Sequence, residues 1–97
     1  MRLDLFLKLS RLVPRRTLAQ QMGEAGAVNL NGSPAKSSHV VRPGDEIVIR
    51  RRGRLSTIRV LAVPAKQVSK SAALSLYEIV GVESYDAEVA SSGGDAE

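Results

Sequence analysis

Hydrophobic residues near the start of the chain recur at helical spacing. Leu5, Leu9 and Leu12 fall at positions i, i+4 and i+7, which places them on one face of a helix predicted over residues 3–13. Charged residues follow the same spacing on the opposite face: Asp4, Lys8 and Arg11. The acid is expected to cap the helix or to serve as a first-turn carboxylate, and to pair with the lysine one turn later.

Pro14 interrupts this pattern because proline lacks a backbone N–H and its ring disfavours a continuing helix. A second helix is predicted to begin around residues 15–17 and to include Leu18, Ala19 and Met22. It is expected to end near Gly26, since glycine readily takes the left-handed conformation found after helices. Two short helices therefore open the chain.

After residue 26 the pattern becomes that of strands. Val28 and Leu30 alternate with other residues, and Asn31-Gly32 then favours a type I′ hairpin turn because both residues tolerate positive φ angles. A second turn is predicted at residues 42–45, where proline and glycine take the central positions. Residues 46–51 and 55–63 are rich in β-branched side chains and are predicted to pair as a hairpin. Its inward positions are Ile47, Ile49, Ile58 and Val60.

The last third of the chain, beyond Pro64, is predicted to contain a third helix over residues 68–81, with an apolar side formed by Ala72, Leu76, Ile79 and Val80. The residues that follow have too little apolar surface to offset their ordering entropy. The predicted fold class is α+β: two N-terminal helices packed on a short antiparallel sheet, a C-terminal helix and a disordered tail. The predicted units are a first domain (1–63), a linker with the C-terminal helix (64–83) and an acidic tail (84–97).

Charge divides the chain into a basic body and an acidic end. Residues 1–70 carry all 14 lysines and arginines against four acids, a net charge of +10, whereas residues 71–97 carry six acids and no base. Such a body attracts polyanions through phosphate contacts, although charge that only maintains solubility is the alternative interpretation. Cysteine is absent, and no apolar stretch suits a bilayer or a secretion signal, so a cytoplasmic protein with no membrane partner is expected.

Side chains suited to catalysis are few. His39, the single histidine, lies in a polar loop, where a solvated or locally hydrogen-bonded ring is favoured over a catalytic base. Asp45 and Glu46 adjoin a turn glycine, so turn stabilisation explains them. The sequence has no glycine-rich phosphate loop and no metal-ligand spacing. It therefore predicts no enzyme, no metal and no cofactor.

Basic residues cluster at three places that suit nucleic-acid binding. These are Lys8 with Arg11, Arg15 with Arg16 at the second helix start, and the predicted hairpin tip with Arg50, Arg52 and Arg54. Guanidinium groups donate paired hydrogen bonds to phosphate, and helix-start N–H groups add donors. With 3% aromatic residues, backbone recognition of folded RNA is favoured over base stacking. A solvated surface, or protection of strand edges at the hairpin, is the alternative.

An ordered series of short motifs resembles the S4-type RNA-binding domain family. It comprises Arg2-Leu3-Asp4-x-Phe6-Leu7, Arg16-x-Leu18-Ala19, Gly26-x-Val28, Asn31-Gly32, Lys36 and Val41-x-Pro43-Gly44-Asp45. The resemblance spans about residues 1–63 and implies the small αL-motif fold of that family. Residues 1–19 and 76–80 are also similar to its short stand-alone members, the ribosome-associated quality-control factors and a small ribosome-associated heat-shock protein.

This resemblance implies binding to the large ribosomal subunit that holds a stalled peptidyl-tRNA, with contacts to rRNA and tRNA. The family's RNA-facing arginines fall on Arg2 and Arg16, and its helix-opening acid falls on Asp4. Relatives often carry lysine at three positions that differ in this chain: Leu5, Pro14 and Gln20. The complete predicted RNA-binding set is Arg2, Asp4, Lys8, Arg11, Arg15, Arg16, Gln20, Lys36, Arg50, Arg52 and Arg54.

Two other functions stay open at this point. S4-type domains also occur fused to pseudouridine synthases and aminoacyl-tRNA synthetases, so the chain could serve as the RNA-binding accessory of a separate modifying enzyme. It could instead be a protein-interaction module whose basic body binds an acidic protein. In that case the acidic tail either screens the body or is only a solubilising appendage. The chain is expected to act as a monomer.

Overall fold

The computed structural model describes residues 1–84, in which α1 spans Leu3–Leu9 and α2 spans Arg16–Glu24. The later elements are β1 (Val28–Leu30), β2 (Ser33–Pro34), β3 (Glu46–Arg51), β4 (Arg54–Val60), α3 (Lys70–Ala73), a 3-10 turn (Leu74–Leu76) and β5 (Tyr77–Ser84). The strands form one antiparallel sheet in the order β2-β1-β3-β4-β5. Side chains of α1, α2 and the sheet share one hydrophobic core, which is aliphatic apart from Phe6. This confirms the expected α+β class.

Helix α1 buries a different face from the one that its leucine spacing predicted. Leu3, Phe6 and Leu7 are at most 1% exposed, whereas Leu5 and Leu12 are only partly buried. The helix also ends at residue 9, because residue 11 takes a left-handed φ of 64° that cannot continue the helix. The prediction of a helix to residue 13 was therefore wrong, and of the three leucines predicted to face inward only Leu9 is buried. The bulk of the phenylalanine ring sets which face packs inward.

Left-handed residues form the tight turns of the sheet, as predicted. The two residues at 31–32 have φ angles of 52° and 88°, and those at 52–53 have φ angles of 55° and 73°, which suit type I′ hairpins. Gly44, in the turn at 42–45, has a φ of 94°. These turns fix the register that places four predicted core residues inside: Ile47, Ile49, Ile58 and Val60.

The C-terminal segment forms a strand at residues 77–81, the last five residues of the predicted helix. Helix α3 has only four residues, and β5 pairs with β4 from Tyr77 opposite Val60 to Ser84 opposite Arg54. The β-branched side chains of this segment suit a strand, and the edge of β4 offers unpaired backbone groups. The hydrogen bonds between β4 and β5 stabilise the strand more than the helical spacing of apolar residues would stabilise a helix. The helix prediction for residues 77–81 was therefore wrong.

Strand β5 belongs to the same sheet as the first predicted unit, and the proposed boundaries at residues 63 and 83 stay predictions. Ser84, the first residue of the predicted tail, closes β5. Residues 85–97 lie outside the described residues, and so does the prediction that they are disordered. Within residues 1–84, no helix has the length and apolar character needed to span a membrane.

Candidate nucleic-acid interface

The loop at residues 36–41 fixes the start of α1. The Leu3 N–H donates to the His39 carbonyl at 2.7 Å, and the Asp4 N–H donates to the Ser37 carbonyl at 3.0 Å. From the other direction, the Val41 N–H donates to the Met1 carbonyl at 2.7 Å. Two of the helix's first N–H groups are thereby satisfied by protein, so this helix start is held rigidly against the loop.

The Asp4 carboxylate, which is fully buried, gathers partners from both helices. Its Oδ2 accepts a hydrogen bond from Gln20 Nε2 at 3.0 Å and lies 3.3 Å from Arg16 Nε. Arg2 approaches the same carboxylate through Nε and Nη2, both at 3.3 Å. The Leu5 N–H donates to Oδ1 at 2.7 Å. We refer to Arg2, Asp4, Arg16 and Gln20 as the Asp4 cluster.

Burial by itself raises the pKa of the Asp4 carboxyl, because removal from water disfavours the charged form. Hydrogen bonds from Gln20, Arg2, Arg16 and the Leu5 N–H together outweigh burial and hold the pKa below its ordinary value. Asp4 is therefore ionised at neutral pH. Its expected role as a first-turn acid is confirmed, but the expected pairing with a lysine one turn later gives way to pairing with the two arginines.

Both arginines of the Asp4 cluster keep an outward-facing part. The side chain of Arg2 is 48% exposed and that of Arg16 is 43% exposed. A guanidinium has five N–H donors, and the contacts with Asp4 use two of them on Arg2 and one on Arg16. The remaining donors stay available to a ligand. The buried carboxylate therefore orients two partly exposed cationic groups at one place on the surface.

Lys36 lies in the loop that supports this cluster. Its backbone N–H donates to His39 Nδ1 at 2.9 Å, and its carbonyl accepts from the His39 N–H at 3.0 Å. This confirms the expectation of a locally hydrogen-bonded histidine. The loop packs closely on α2, since a Cβ at Gly23 would lie 3.0 Å from the Ser37 nitrogen. The backbone of the exposed Lys36 is thus fixed beside the Asp4 cluster, since the next residue, Ser37, accepts the Asp4 N–H.

Lys8 and Arg11 lie in a separate cleft. Their side chains line a depression beside α3 together with Gln67 and Lys70. Lys70 was not predicted from the sequence, because its segment carries no motif. It lies near Lys8 only in the folded protein. Arg15 precedes the first residue of α2 and is exposed.

The tip of the β3–β4 hairpin forms a third basic site. We call it the arginine cleft, and its lining residues are Leu12, Ile49, Arg51, Arg52, Arg54 and Ser56. The predicted Arg50 points away from this set, since its ladder partner is Leu55. Arg51 was not in the predicted set, although the two-residue alternation of a strand places it on the same face as Ile49. Of the eleven predicted residues, nine therefore lie at these three sites, with Lys36 counted beside the Asp4 cluster, whereas Arg15 and Arg50 lie outside them.

Comparisons with known proteins show the family to which the chain belongs. Residues 1–47 match the model of the S4 domain family. The chain is 48% identical over 79 residues to the RQC P-site tRNA stabilizing factor of Halalkalibacterium halodurans, which covers 81% of this chain and 89% of that protein. The Bacillus subtilis protein of the same name is 42% identical over 83 residues, covering 86% of this chain and 95% of its own. This chain belongs to the family of RQC P-site tRNA stabilizing factors.

A solved relative of this family confirms the fold. The trimeric structure of Vibrio cholerae Heat Shock Protein 15 superposes with a TM-score of 0.77 at 32% identity, covering 82% of this chain and 81% of that one. The resemblance to short stand-alone S4 proteins is thereby confirmed. For this member of the stabilizing-factor family, the S4 match contains the whole Asp4 cluster and Lys36, whereas the hairpin tip and Lys70 lie beyond it.

Proposed function

We propose that this chain is a non-enzymatic factor that binds the large ribosomal subunit in the rescue of stalled ribosomes, through contacts with rRNA and peptidyl-tRNA. The names of its relatives, P-site tRNA stabilizing factors, support this function. On this proposal the protein supplies binding energy to a tRNA already in place and performs no reaction. It acts in the cytoplasm and as a monomer.

The observation that carries the proposal is the Asp4 cluster. Arg2 and Arg16 are each about half exposed and are oriented by a carboxylate that solvent does not reach. A planar guanidinium held in this way offers paired donors that match phosphate oxygens. Because a buried acid fixes both groups, little side-chain freedom is lost when a phosphate binds. The cluster therefore recognises a sugar-phosphate backbone of defined shape.

In the proposed function, the remaining basic residues extend the RNA-contacting surface beyond the Asp4 cluster. Lys36 adjoins the Asp4 cluster, Lys8 and Arg11 line the cleft with Lys70, and Arg15 precedes α2. The hairpin tip contributes further arginines. Phosphate contacts of this kind fix the position of a protein on RNA without reading bases. We therefore expect the protein to recognise the shape of rRNA and tRNA and not their base sequence.

Co-sedimentation with large ribosomal subunits that carry peptidyl-tRNA tests the proposal. The double variant Arg2→Gln and Arg16→Gln keeps a polar side chain at each position and removes two charges. It is expected to leave the large-subunit fraction, while the matched variant Arg59→Gln, altered on β4 outside the three basic sites, stays bound. Unchanged co-sedimentation of the folded double variant would refute the role of the Asp4 cluster. Co-purification with a modifying enzyme in place of ribosomes would refute the ribosomal function.

A further inference from the structure

The described end of the chain lies beside the arginine cleft. Ser84, the last residue of β5, is the ladder partner of Arg54 at the hairpin tip. Paired residues of antiparallel strands have Cα atoms about 4.5–5.5 Å apart. The segment that follows residue 84 therefore starts next to the arginine cleft.

The register of β5 also places its last residues along the open side of the cleft. Ser56, which lines the cleft, lies opposite Val82, and Arg54 lies opposite Ser84. Directly opposed residues of an antiparallel pair share one face of the sheet. Val82 is 50% exposed, so the cleft has an accessible apolar border on the side from which the chain leaves.

The segment that follows is complementary to the cleft in charge. Residues 85–97 carry no base and four acids, namely Asp86, Glu88, Asp95 and Glu97, and residues 50–54 carry four arginines. Among residues 1–84, the ion pairs use Arg2, Arg16 and Arg59, and no arginine of the hairpin tip. The tail also has two larger apolar side chains, Tyr85 and Val89, and the cleft has apolar lining at Leu12 and Ile49.

We propose that residues 85–97 dock on the arginine cleft, with their carboxylates against Arg51, Arg52 and Arg54. The first acid, Asp86, is two residues beyond Ser84, a reach of roughly 7 Å for an extended chain. Tethering at this distance gives the acids an effective concentration of about millimolar at the cleft. A docked tail occupies the same guanidinium groups that an RNA phosphate would use, so it competes with RNA. This competition rests on the proposed function, whereas the docking does not.

A spin label on the tail of the full chain tests the docking without RNA. The chain has no cysteine, so Ser92→Cys accepts a single nitroxide, and the broadening of backbone amide signals reports its position. We expect strong broadening at residues 51–56 in low salt, relative to the region of Lys8 and Lys70. The matched control carries the same label with all four tail acids changed to their amides. Loss of the broadening in that control supports docking, and equal broadening in both chains overturns it.

Affinity for a double-stranded RNA hairpin tests the competition. The unlabelled chain with the amidated tail is expected to bind this RNA up to about fivefold more tightly than the native chain. In a background with Arg52→Gln and Arg54→Gln, amidation of the tail is expected to have little further effect. An equal gain in that background reveals a general charge effect and overturns competition at the cleft. If no chain binds RNA while the broadening is present, the proposed function fails and the docking stands.

Discussion

The Asp4 cluster and the arginine cleft hold their arginines in opposite ways. In the Asp4 cluster, a buried carboxylate contacts both Arg2 and Arg16. In the cleft, Arg51 and Arg54 flank a two-residue turn that contains Arg52, and the ion pairs among residues 1–84 include none of these three. Fixing a long side chain before binding saves roughly 0.5–1.5 kcal/mol of ordering cost per residue. Oriented arginines therefore favour a phosphate at one defined position. Arginines without a fixed partner attract phosphates of RNA without fixing their position.

Within this comparison, charge alone does not predict which arginine contributes most to binding. Pairing with Asp4 lowers the net charge of the cluster, yet it fixes the geometry of the donors that remain. Within residues 1–84 the arginines of the hairpin tip form no ion pair, so their side chains lose more entropy when they bind. Asp4→Asn raises the net charge while it removes the orientation of the arginines, so its effect on RNA affinity shows which contribution is larger.

The largest effect is expected when the buried carboxylate is neutralised. Asp4→Asn leaves two arginines and Gln20 without their charged acceptor, and the free energy of unfolding should fall by about 2 kcal/mol. RNA affinity should also fall, although the net charge rises from +4 to +5, because the arginines lose their orientation. Denaturant unfolding and RNA titration measure the two quantities. A gain in affinity would show that charge, and not orientation, governs this site.

The pH dependence of stability, compared between the native protein and Asp4→Asn, tests whether the buried carboxylate is ionised. Because hydrogen bonds lower the pKa of Asp4 in the folded protein, its contribution to stability is complete above the unfolded pKa of about 3.9. That contribution is lost as the pH falls through the lower folded pKa. The stability difference between the native protein and Asp4→Asn should therefore be constant near neutral pH and shrink in acid. A difference that grows in acid would contradict the ionised carboxylate.

A smaller effect is expected when one arginine from each site is compared. Arg16→Gln should weaken binding to an RNA hairpin by about tenfold, the value of one charged hydrogen bond near 1.5 kcal/mol. Arg52→Gln should weaken it by less than about threefold, as for an exposed charge with no fixed partner. Equal losses in the two variants would remove the distinction between the sites. Circular dichroism of both variants controls for folding.

The smallest effect is expected at a surface ion pair outside both sites. Arg59 Nη1 lies 2.8 Å from Glu78 Oε2 between β4 and β5, and each side chain is about half exposed. Exposed pairs contribute roughly 0.2–1 kcal/mol. Arg59→Gln should therefore lower the stability by less than about 1 kcal/mol and leave RNA affinity unchanged. A marked loss of RNA affinity would extend the proposed surface onto β4 and its neighbour β5.

Local signals in the sequence predicted the turns and the central hairpin well. Asn31-Gly32 and the Pro43-Gly44 turn depend on backbone φ angles that few residues tolerate, so residue type alone indicates them. The inward positions of β3 and β4 follow from strand alternation in the same way. These features need no knowledge of distant partners.

Features that depend on distant partners were not predictable in this way. Helical spacing placed Asp4 on the polar face, whereas the approach of α2 buries it and supplies Gln20 as a partner. Likewise β5 forms because the edge of β4 is available, which no local pattern in residues 77–81 reveals. The resemblance to S4 domains identified Arg2 and Arg16 but not how they are held. In each case, contacts between residues distant in sequence determine the local structure.

The salt dependence of RNA binding reports how many phosphates the arginines of the Asp4 cluster contact. Each phosphate contact contributes nearly one unit to the slope of log affinity against log salt on a duplex. We expect the slope of the Arg2→Gln and Arg16→Gln double variant to be shallower than that of the native protein by nearly two units, while Arg59→Gln keeps the native slope. A native slope in the folded double variant would contradict the account, because the arginines held by Asp4 would then not contact phosphate.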